Sequence, residues 1–587
     1  MKNQTFPESA REEAMKVITY RVVMFCLLLA VFFTVACSKK EMVKAEDPLP
    51  AIMSMEIAEP ADLRASGTMY KLAMDRNYPS PSPAPSYITP PQPISSQDFN
   101  TEGYDRVNEN PFLEVLKNPL STFSIDVDTA SYTNVRRFIN SGKLPPADAV
   151  RIEEMINYFR YDYPQPTANM PFSFNTEVTN TPWKPGNRLL LIGLQGVKIA
   201  TEKLPPANLV FLIDVSGSME QENKLPLLIK SFKLLVGQLR HQDTVAIVVY
   251  AGQAGLVLPA TSGADKHKIL AALESLQAGG STAGGEGIKL AYRIAGENFK
   301  KHGNNRVILA TDGDFNVGAS SDAEMERLIE QKRKDGVYLS VLGFGMGNYK
   351  DSKMQKLADR GNGNYAYIDN MLEARKVLVS QFGGTMLTIA KDVKLQVEFN
   401  PAKVSSYRLI GYEKRLLRPE DFADDTKDAG ELGSDHTVTA LYEIVPADGV
   451  STAKQELTYQ TTQIKDGAQT SDELATIRFR YKKTDGETSR EIVRKIPAST
   501  VALNKASENI RFAAAVAEWG LVLRNSAYKG SANYTQILEI ARRAKGADSQ
   551  GYRAEFIRLV EMAELLDRRS SVPPETEPDY RQTSKIR

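Results

Sequence analysis

The stretch FLIDVSGSME, residues 211–220, sets an apolar run directly against an aspartate and two serines that flank one glycine. An apolar run without alternation is the pattern of a strand buried on both faces of a parallel sheet. Three more such runs follow, in DTVAIVVYA, NRVILATD and GVYLSVLGFG. Between the runs lie the amphipathic segments KLPLLIKSFKLLVGQL, HKILAALESL, EGIKLAYRIAGENF and DAEMERLIEQKRKDG. Strands alternating with helices predict an α/β unit with a doubly wound, mostly parallel sheet over 207–385.

In such a sheet, ligands sit beyond the carboxyl ends of the strands, where the strand order reverses. Asp214 ends the first strand there, and Gly217 lets the loop curl so that Ser216 and Ser218 point the same way. Two more residues are predicted to converge with them: Thr282, in the glycine-lined AGGSTAGGEG, and Asp312, which ends NRVILATD ahead of Gly313. Two carboxylates and three hydroxyls form an oxygen-only donor set. That set suits a hard cation, Mg²⁺, with Mn²⁺ or Ca²⁺ as alternatives.

These five residues resemble the metal-ion-dependent adhesion site of von Willebrand factor type A (VWA) domains, through DVSGS at 214–218, Thr282 in GGST and Asp312 in TDG. The resemblance implies a Rossmann-like fold and a non-enzymatic protein–protein interaction module. In that family a partner's Asp or Glu carboxylate completes the coordination of the metal, and the threonine loop and the last helix of the domain, here near 372–381, tune affinity. The likeness extends to bacterial lipoproteins of the YfbK-like kind. It is carried upstream by NPLSTFSIDVDTASYTNVRRFI, and downstream by YRLIGYEKRLLRPEDFADDTKDAGELG followed by HTVTALYEIVP.

Around the α/β unit, ASYTNVRRFINSG and AVRIEEMINYFRYDYP have helical spacing and PFSFNTEV and RLLLIGLQG read as strands, which marks 108–206 as an ordered N-terminal region. A β-rich region over 386–500 contains KDVKLQVEFN, TVTALYEIVP and ATIRFRYKK. Helices are predicted over 501–568, where Trp519 reads as core, and 569–587 reads as a disordered tail. The two flanks are expected to form one β-rich unit into which the α/β domain is inserted.

At the other end, VVMFCLLLAVFFTVAC, residues 22–37, has the length of a signal peptide and follows Lys16 and Arg21. Met15 opens a better signal than Met1, because Glu8, Glu12 and Glu13 precede it. The run closes on Val35-Ala36-Cys37, which resembles a lipobox with Thr34 in place of the usual Leu, and Cys37 is the expected lipidation site. Ser38 does not resemble the inner-membrane retention aspartate, which favours the outer membrane of the cell envelope. Residues 38–107, with NYPSPSPAPSYITPPQPISS, are expected to form a Pro-rich flexible tether. Cys26 and Cys37 are the two cysteines, so a chain cut before Cys37 has no disulfide framework.

The remaining composition narrows the function classes. Across 587 residues, 73 Lys and Arg balance 72 Asp and Glu, so no electrostatic footprint points to nucleic acid. His241, His267, His302 and His436 have no metalloprotease spacing, and no GxSxG elbow is present. Asp126 and Asp128 in SIDVDTAS partly resemble the DxDxT motif of haloacid-dehalogenase-type phosphatases. However, Ala130 stands in place of the Thr, and no apolar strand is expected before them. Asp424, Asp425 and Asp428 read as a solvated turn. The alternative to an adhesion module is a structural scaffold in envelope assembly whose metal only braces the loops.

Overall fold

The computed structural model describes residues 102–167, 170–281, 284–313, 315, 321–347, 349–381, 384, 387–427, 429–447, 463–484, 486 and 488–570. Met15, Cys26, Cys37, Thr282 and Asp428, the tether up to residue 101 and the tail from 571 lie outside them. Strands β1 (Leu113–Glu114) and β2 (Leu120–Ser124) lead into helices Ala130–Asn140 and Ile152–Asn157 and a hairpin of β3 (Phe172–Asn180) and β4 (Arg188–Gly196). Next come β5 (Ala207–Asp214), β6 (Thr244–Tyr250), β7 (Ala254–Ser262), β8 (Asn304–Thr311), β9 (Val337–Gly343) and β10 (Tyr365–Tyr367). Helices Leu225–Gln238, Lys266–Glu274, Gly284–Glu297, Asp322–Lys334 and Asp351–Arg360 alternate with these strands.

The α/β sheet runs β10-β9-β8-β5-β6-β7, parallel except for β7. Strand β5 is buried along its whole length, and its residues divide by the two-residue period of a strand. Leu209, Phe211 and Ile213 pack with Leu228 and Phe232, whereas Val210 and Leu212 pack with Ile288 and Ala291 on the other face. The antiparallel edge strand β7 was not legible as one of the apolar runs, because AGLVLPATS is half exposed and broken by Pro259.

The chain then returns through β11 (Thr388–Phe399), β12 (Val404–Ile410), β13 (Leu416–Leu417), β14 (Gly430–Gly433), β15 (Thr437–Pro446), β16 (Glu473–Lys482) and β17 (Ser489–Pro497). It ends in helices Glu508–Leu523, Tyr534–Arg543 and Tyr552–Ser570. Two further sheets, β1-β12-β15-β4-β3 and β13-β2-β11-β16-β17, take strands from both sides of the α/β unit. Their facing side chains, among them Phe123, Leu190, Ile192, Leu395, Val397 and Tyr442, form one core. The α/β domain is therefore an insertion in a β sandwich.

The helices follow the same rule, since Tyr132 and Ile156 from before the insertion pack with Phe512, Trp519 and Phe556 from after it. The expectation that no apolar strand precedes Asp126 meets a short, largely polar one, β2. LSTFS is polar yet buried because Tyr442 donates to Ser121 at 2.9 Å and Gln396 donates to Thr122 at 2.9 Å, while Phe123 fills the core.

Buried ion ties dock the inserted domain on its flanks. Arg151 reaches Asp351 at 2.6 Å and Arg136 reaches Glu373 at 2.9 Å, while Arg136 also ties the two flanks together through Glu555 at 3.0 Å. Such pairs add little net stability against a hydrophobic alternative, but breaking one leaves a stranded charge and so penalises any other docking. Among the described residues no helix is long and apolar enough to cross a membrane.

Two outcomes follow from this architecture. Residues 102–200 and 386–570 expressed apart each leave sheets without partner strands, so neither should show a cooperative thermal transition until the two are co-expressed. A cooperative melt of either piece alone would contradict the shared sandwich. The second concerns Glu518, which is fully buried on helix Glu508–Leu523, where burial pushes its carboxyl up from 4.5 to about 8. The stability this group contributes is complete below pH 4.5 and is lost as pH rises through about 8. Glu518→Gln should therefore melt above the parent near pH 9 and level with it near pH 4, as read by calorimetry at the two pH values.

Candidate metal centre

Asp214 is the last residue of β5, the strand from which the sheet is wound in both directions. Its register neighbour on β6 is Tyr250, and on the other side Ile213 pairs with Ala310 of β8. Asp312 follows the final residue of β8, so both carboxylates emerge at the carboxyl end of adjacent strands, and both are fully buried. Asp214 Oδ1 accepts the backbone N–H of Ser216 at 2.9 Å, and its Oδ2 accepts the hydroxyls of Tyr250 at 3.0 Å and Thr311 at 3.1 Å.

The loop after Asp214 is pinned to the glycine-lined loop before helix Gly284–Glu297. Gly217 N–H donates to Gly280 O at 3.1 Å, and Gly279 N–H donates to Val215 O at 2.7 Å. Ser216 and Ser218 hydroxyls stand 3.1 Å apart, with Ser218 exposed at the rim. Gly313 has a φ of +97°, and a Cβ there would come within 2.5 Å of the Lys350 backbone nitrogen, so the turn that releases Asp312 admits only glycine.

The electrostatics are set by burial. It pushes the Asp214 carboxyl up to about 6; neighbouring Asp312 adds to the rise, while hydrogen bonds from Ser216 and Tyr250 hold it down. Lys224 Nζ lies 2.9 Å from Asp312 Oδ2, with both side chains buried. Among the described residues, Lys224 offsets part of the charge of the two carboxylates, which stand among hydroxyl oxygens. That donor set fits a hard divalent cation. Among the described residues no three His, Cys, Asp or Glu side chains gather into a metal cage, so a cation held here would draw on hydroxyls as well.

Of the residues singled out in the sequence, Asp214, Ser216, Ser218 and Asp312 are described here, and Thr282 and Cys37 lie outside the described residues. Three participants escaped sequence reasoning: Lys224, Tyr250 and Thr311. Lys224 carried a signal, because it directly precedes helix Leu225–Gln238, where a cation opposes the helix dipole. The last helix of the domain is Met371–Arg375, continued by a wide turn over Lys376–Ser380. Asp126 and Asp128 both pair with Arg415 at 3.4 Å, Arg415 also reaches Asp359 of the inserted domain at 2.7 Å, and Asp128 accepts Tyr365 N–H at 2.9 Å, so the group braces the sandwich against the inserted domain. Asp425 accepts Arg480 at 3.0 Å across the turn that also holds Asp424.

The sheet order, with DVSGS and TDG at its carboxyl end, defines a VWA domain, and the profile described as von Willebrand factor type A domain matches residues 208–380. The profile described as von Willebrand factor matches 98–191, and that of uncharacterized protein YfbK, C-terminal, matches 384–566. The chain is 46% identical over 471 residues to uncharacterized protein YfbK of Escherichia coli (strain K12), covering 79% of this chain and 81% of that one. It belongs to the YfbK family of VWA-domain proteins. It is also 29% identical over 171 residues to uncharacterized protein sll0103 of Synechocystis, covering 29% of this chain and 39% of that one. A solved von Willebrand factor type A structure from Catenulispora acidiphila aligns at a TM-score of 0.37 with 15% identity, covering 67% of this chain and 91% of that one.

Lys224 and a cation would compete for Asp312. Lys224→Met should therefore bind Mg²⁺ about tenfold more tightly, and its metal-free form should melt lower, since Asp312 loses that counter-charge. Calorimetric titration checks the first effect and thermal unfolding the second. Equal or weaker Mg²⁺ binding would contradict the competition.

Proposed function

We propose that the VWA domain is a divalent-metal-dependent protein-binding site on a lipid-anchored protein of the cell envelope. The observation that carries this reading is the pair of fully buried carboxylates, Asp214 and Asp312, at the ends of adjacent strands, with Lys224 partly offsetting their charge. Asp214, Ser216, Ser218, Thr282 and Asp312 would hold the ion, Mg²⁺ or with the same hard-oxygen preference Mn²⁺ or Ca²⁺. Bound there, the ion supplies a position for the carboxylate oxygen of a partner protein's Asp or Glu.

The chain's own residues prepare the site. Tyr250 and Thr311 hold Asp214 in place, the bonds between Val215, Gly217 and Gly279–Gly280 hold the loops together, and Ser218 stands at the exposed rim where a partner arrives. Lipidation at Cys37 and the Pro-rich segment after it would tether the domain to a membrane, the outer membrane being favoured. The near-zero net charge gives nucleic acid no part in this reading.

A scaffold role in envelope assembly is the second reading. It is favoured by the Lys224–Asp312 bond, which satisfies Asp312 from within the chain. Titration of Mg²⁺ and Mn²⁺ into residues 38–587, beside Asp214→Ala and Asp312→Ala, separates the two. Adhesion expects saturable binding lost in both variants, together with partner capture that EDTA abolishes. A folded parent that binds neither ion would overturn it in favour of the scaffold.

A further inference from the structure

Between the α/β sheet and the β sandwich lies a cleft of about 480 Å³. Its floor is apolar and belongs to the inserted domain, with Ile308 of β8, Leu342 of β9 and Leu235 of helix Leu225–Gln238. Lys376, from the last turn of that domain, lines it too, its Nζ donating to Tyr158 O at 2.7 Å. The sandwich closes the other side with the segment around Gly430–Thr437.

Arg306 of β8 also lines this cleft and is 3% exposed. Its Nη1 donates to Ser340 Oγ at 2.7 Å, but its Nε has no hydrogen-bond partner, and among the described residues it enters no ion pair. Glu431, whose charge it feels, is taken up by Asn362 Nδ2 at 2.9 Å and by the Thr388 hydroxyl at 2.6 Å. The Tyr338 ring, 5.5 Å away, offsets only part of the cost of burying a guanidinium that cannot shed its proton. Isolated charges of this kind are rarely kept in a protein interior unless something pairs with them.

We propose that this cleft binds a small organic oxyanion, a carboxylate or a phosphate ester, with Arg306 pairing its charged head and its apolar body lying on Ile308, Leu342 and Leu235. The volume is that of a small-molecule site, and the lining is mixed, with Asp126, Asp128, Glu431 and Asp435 among the polar groups beside Ile308, Leu342 and Leu235. A planar guanidinium is suited to both oxyanions, since its N–H groups match their oxygens in pairs. Arg306 and Asp312 are six residues apart along β8, roughly 20 Å at the rise of a strand. The oxyanion site is thus separate from the metal centre.

Titrating the full chain with benzoate, phenyl phosphate, inorganic phosphate and benzyl alcohol, with melting temperature as the readout, tests the proposal. Benzoate or phenyl phosphate should stabilise the chain saturably, inorganic phosphate less and benzyl alcohol not at all; the better of the first two identifies the head group. Arg306→Met should weaken that response about tenfold to a hundredfold while melting no lower than the parent without probe, because it removes an unpaired buried charge. The proposal is overturned by a parent that ignores both organic anions, by equal responses in Arg306→Met, or by an equal response to benzyl alcohol. Should Arg306→Met fail to fold, hydrogen exchange on the parent decides. Slower exchange over 304–311 and 376–380 with the bound probe supports the site, and unchanged exchange there overturns it.

Discussion

The antiparallel pairing of β4 with β15 and of β2 with β11 is the constraint on which the rest of the molecule rests. Each pair joins a strand from before the inserted domain to one from after it, through Arg188–Gln195 against Thr437–Ile444 and Leu120–Ser124 against Lys394–Glu398. Both sheets bury their inner faces in one core, so neither flank can complete its hydrophobic burial alone. The same pairing brings the two ends of the insertion together. Gly196 N–H donates to His436 O at 2.8 Å, and Ser434 N–H donates to Leu387 O at 2.8 Å. Once the ends are held, the Arg136, Arg151 and Arg415 ties can form, and the cleft beneath the sheet acquires its outer wall.

Within the inserted domain, a second constraint governs the candidate metal centre. A parallel sheet buried on both faces leaves its strand ends as the places where polar groups can gather, and here two of those ends are aspartates. Buried carboxylates demand partners, and the structure answers with hydroxyls, backbone N–H groups and Lys224. The domain belongs to a class that typically mediates protein–protein interaction. The opposite end of β8 carries the reverse problem, a buried cation in Arg306 that among the described residues enters no ion pair and whose Nε has no hydrogen-bond partner. One strand thus sets two unlike charge imbalances at its two ends.

Much of this was legible along the chain. The continuous apolar runs of β5, β6, β8 and β9 announced their burial on both faces, and the amphipathic segments between them gave the helices within a few residues. The alternating patterns of β3, β11, β15 and β16 also read correctly. The less patterned strands did not. Strand β7 is an exposed edge; β12 carries two serines, a tyrosine and an arginine; β17 is largely exposed and charged; and β2 hides its polarity in bonds to Gln396 and Tyr442. In each of these the deciding contact lies on a distant strand, and local hydrophobicity carries no record of it.

The sequence by itself determined the class of domain, the strand ends that carry Asp214 and Asp312, and the hydroxyls spaced to join them. Those features are local, since burial writes itself into runs of apolar residues and a turn writes itself into glycine. The tertiary structure alone decided that the flanks interleave, that Lys224 holds Asp312, that Asp126 and Asp128 serve docking through Arg415, and that Arg306 faces a cleft. These depend on which of many charged and polar side chains meet across tens to hundreds of residues, and a pairing of that kind becomes visible only when the chain has closed on itself.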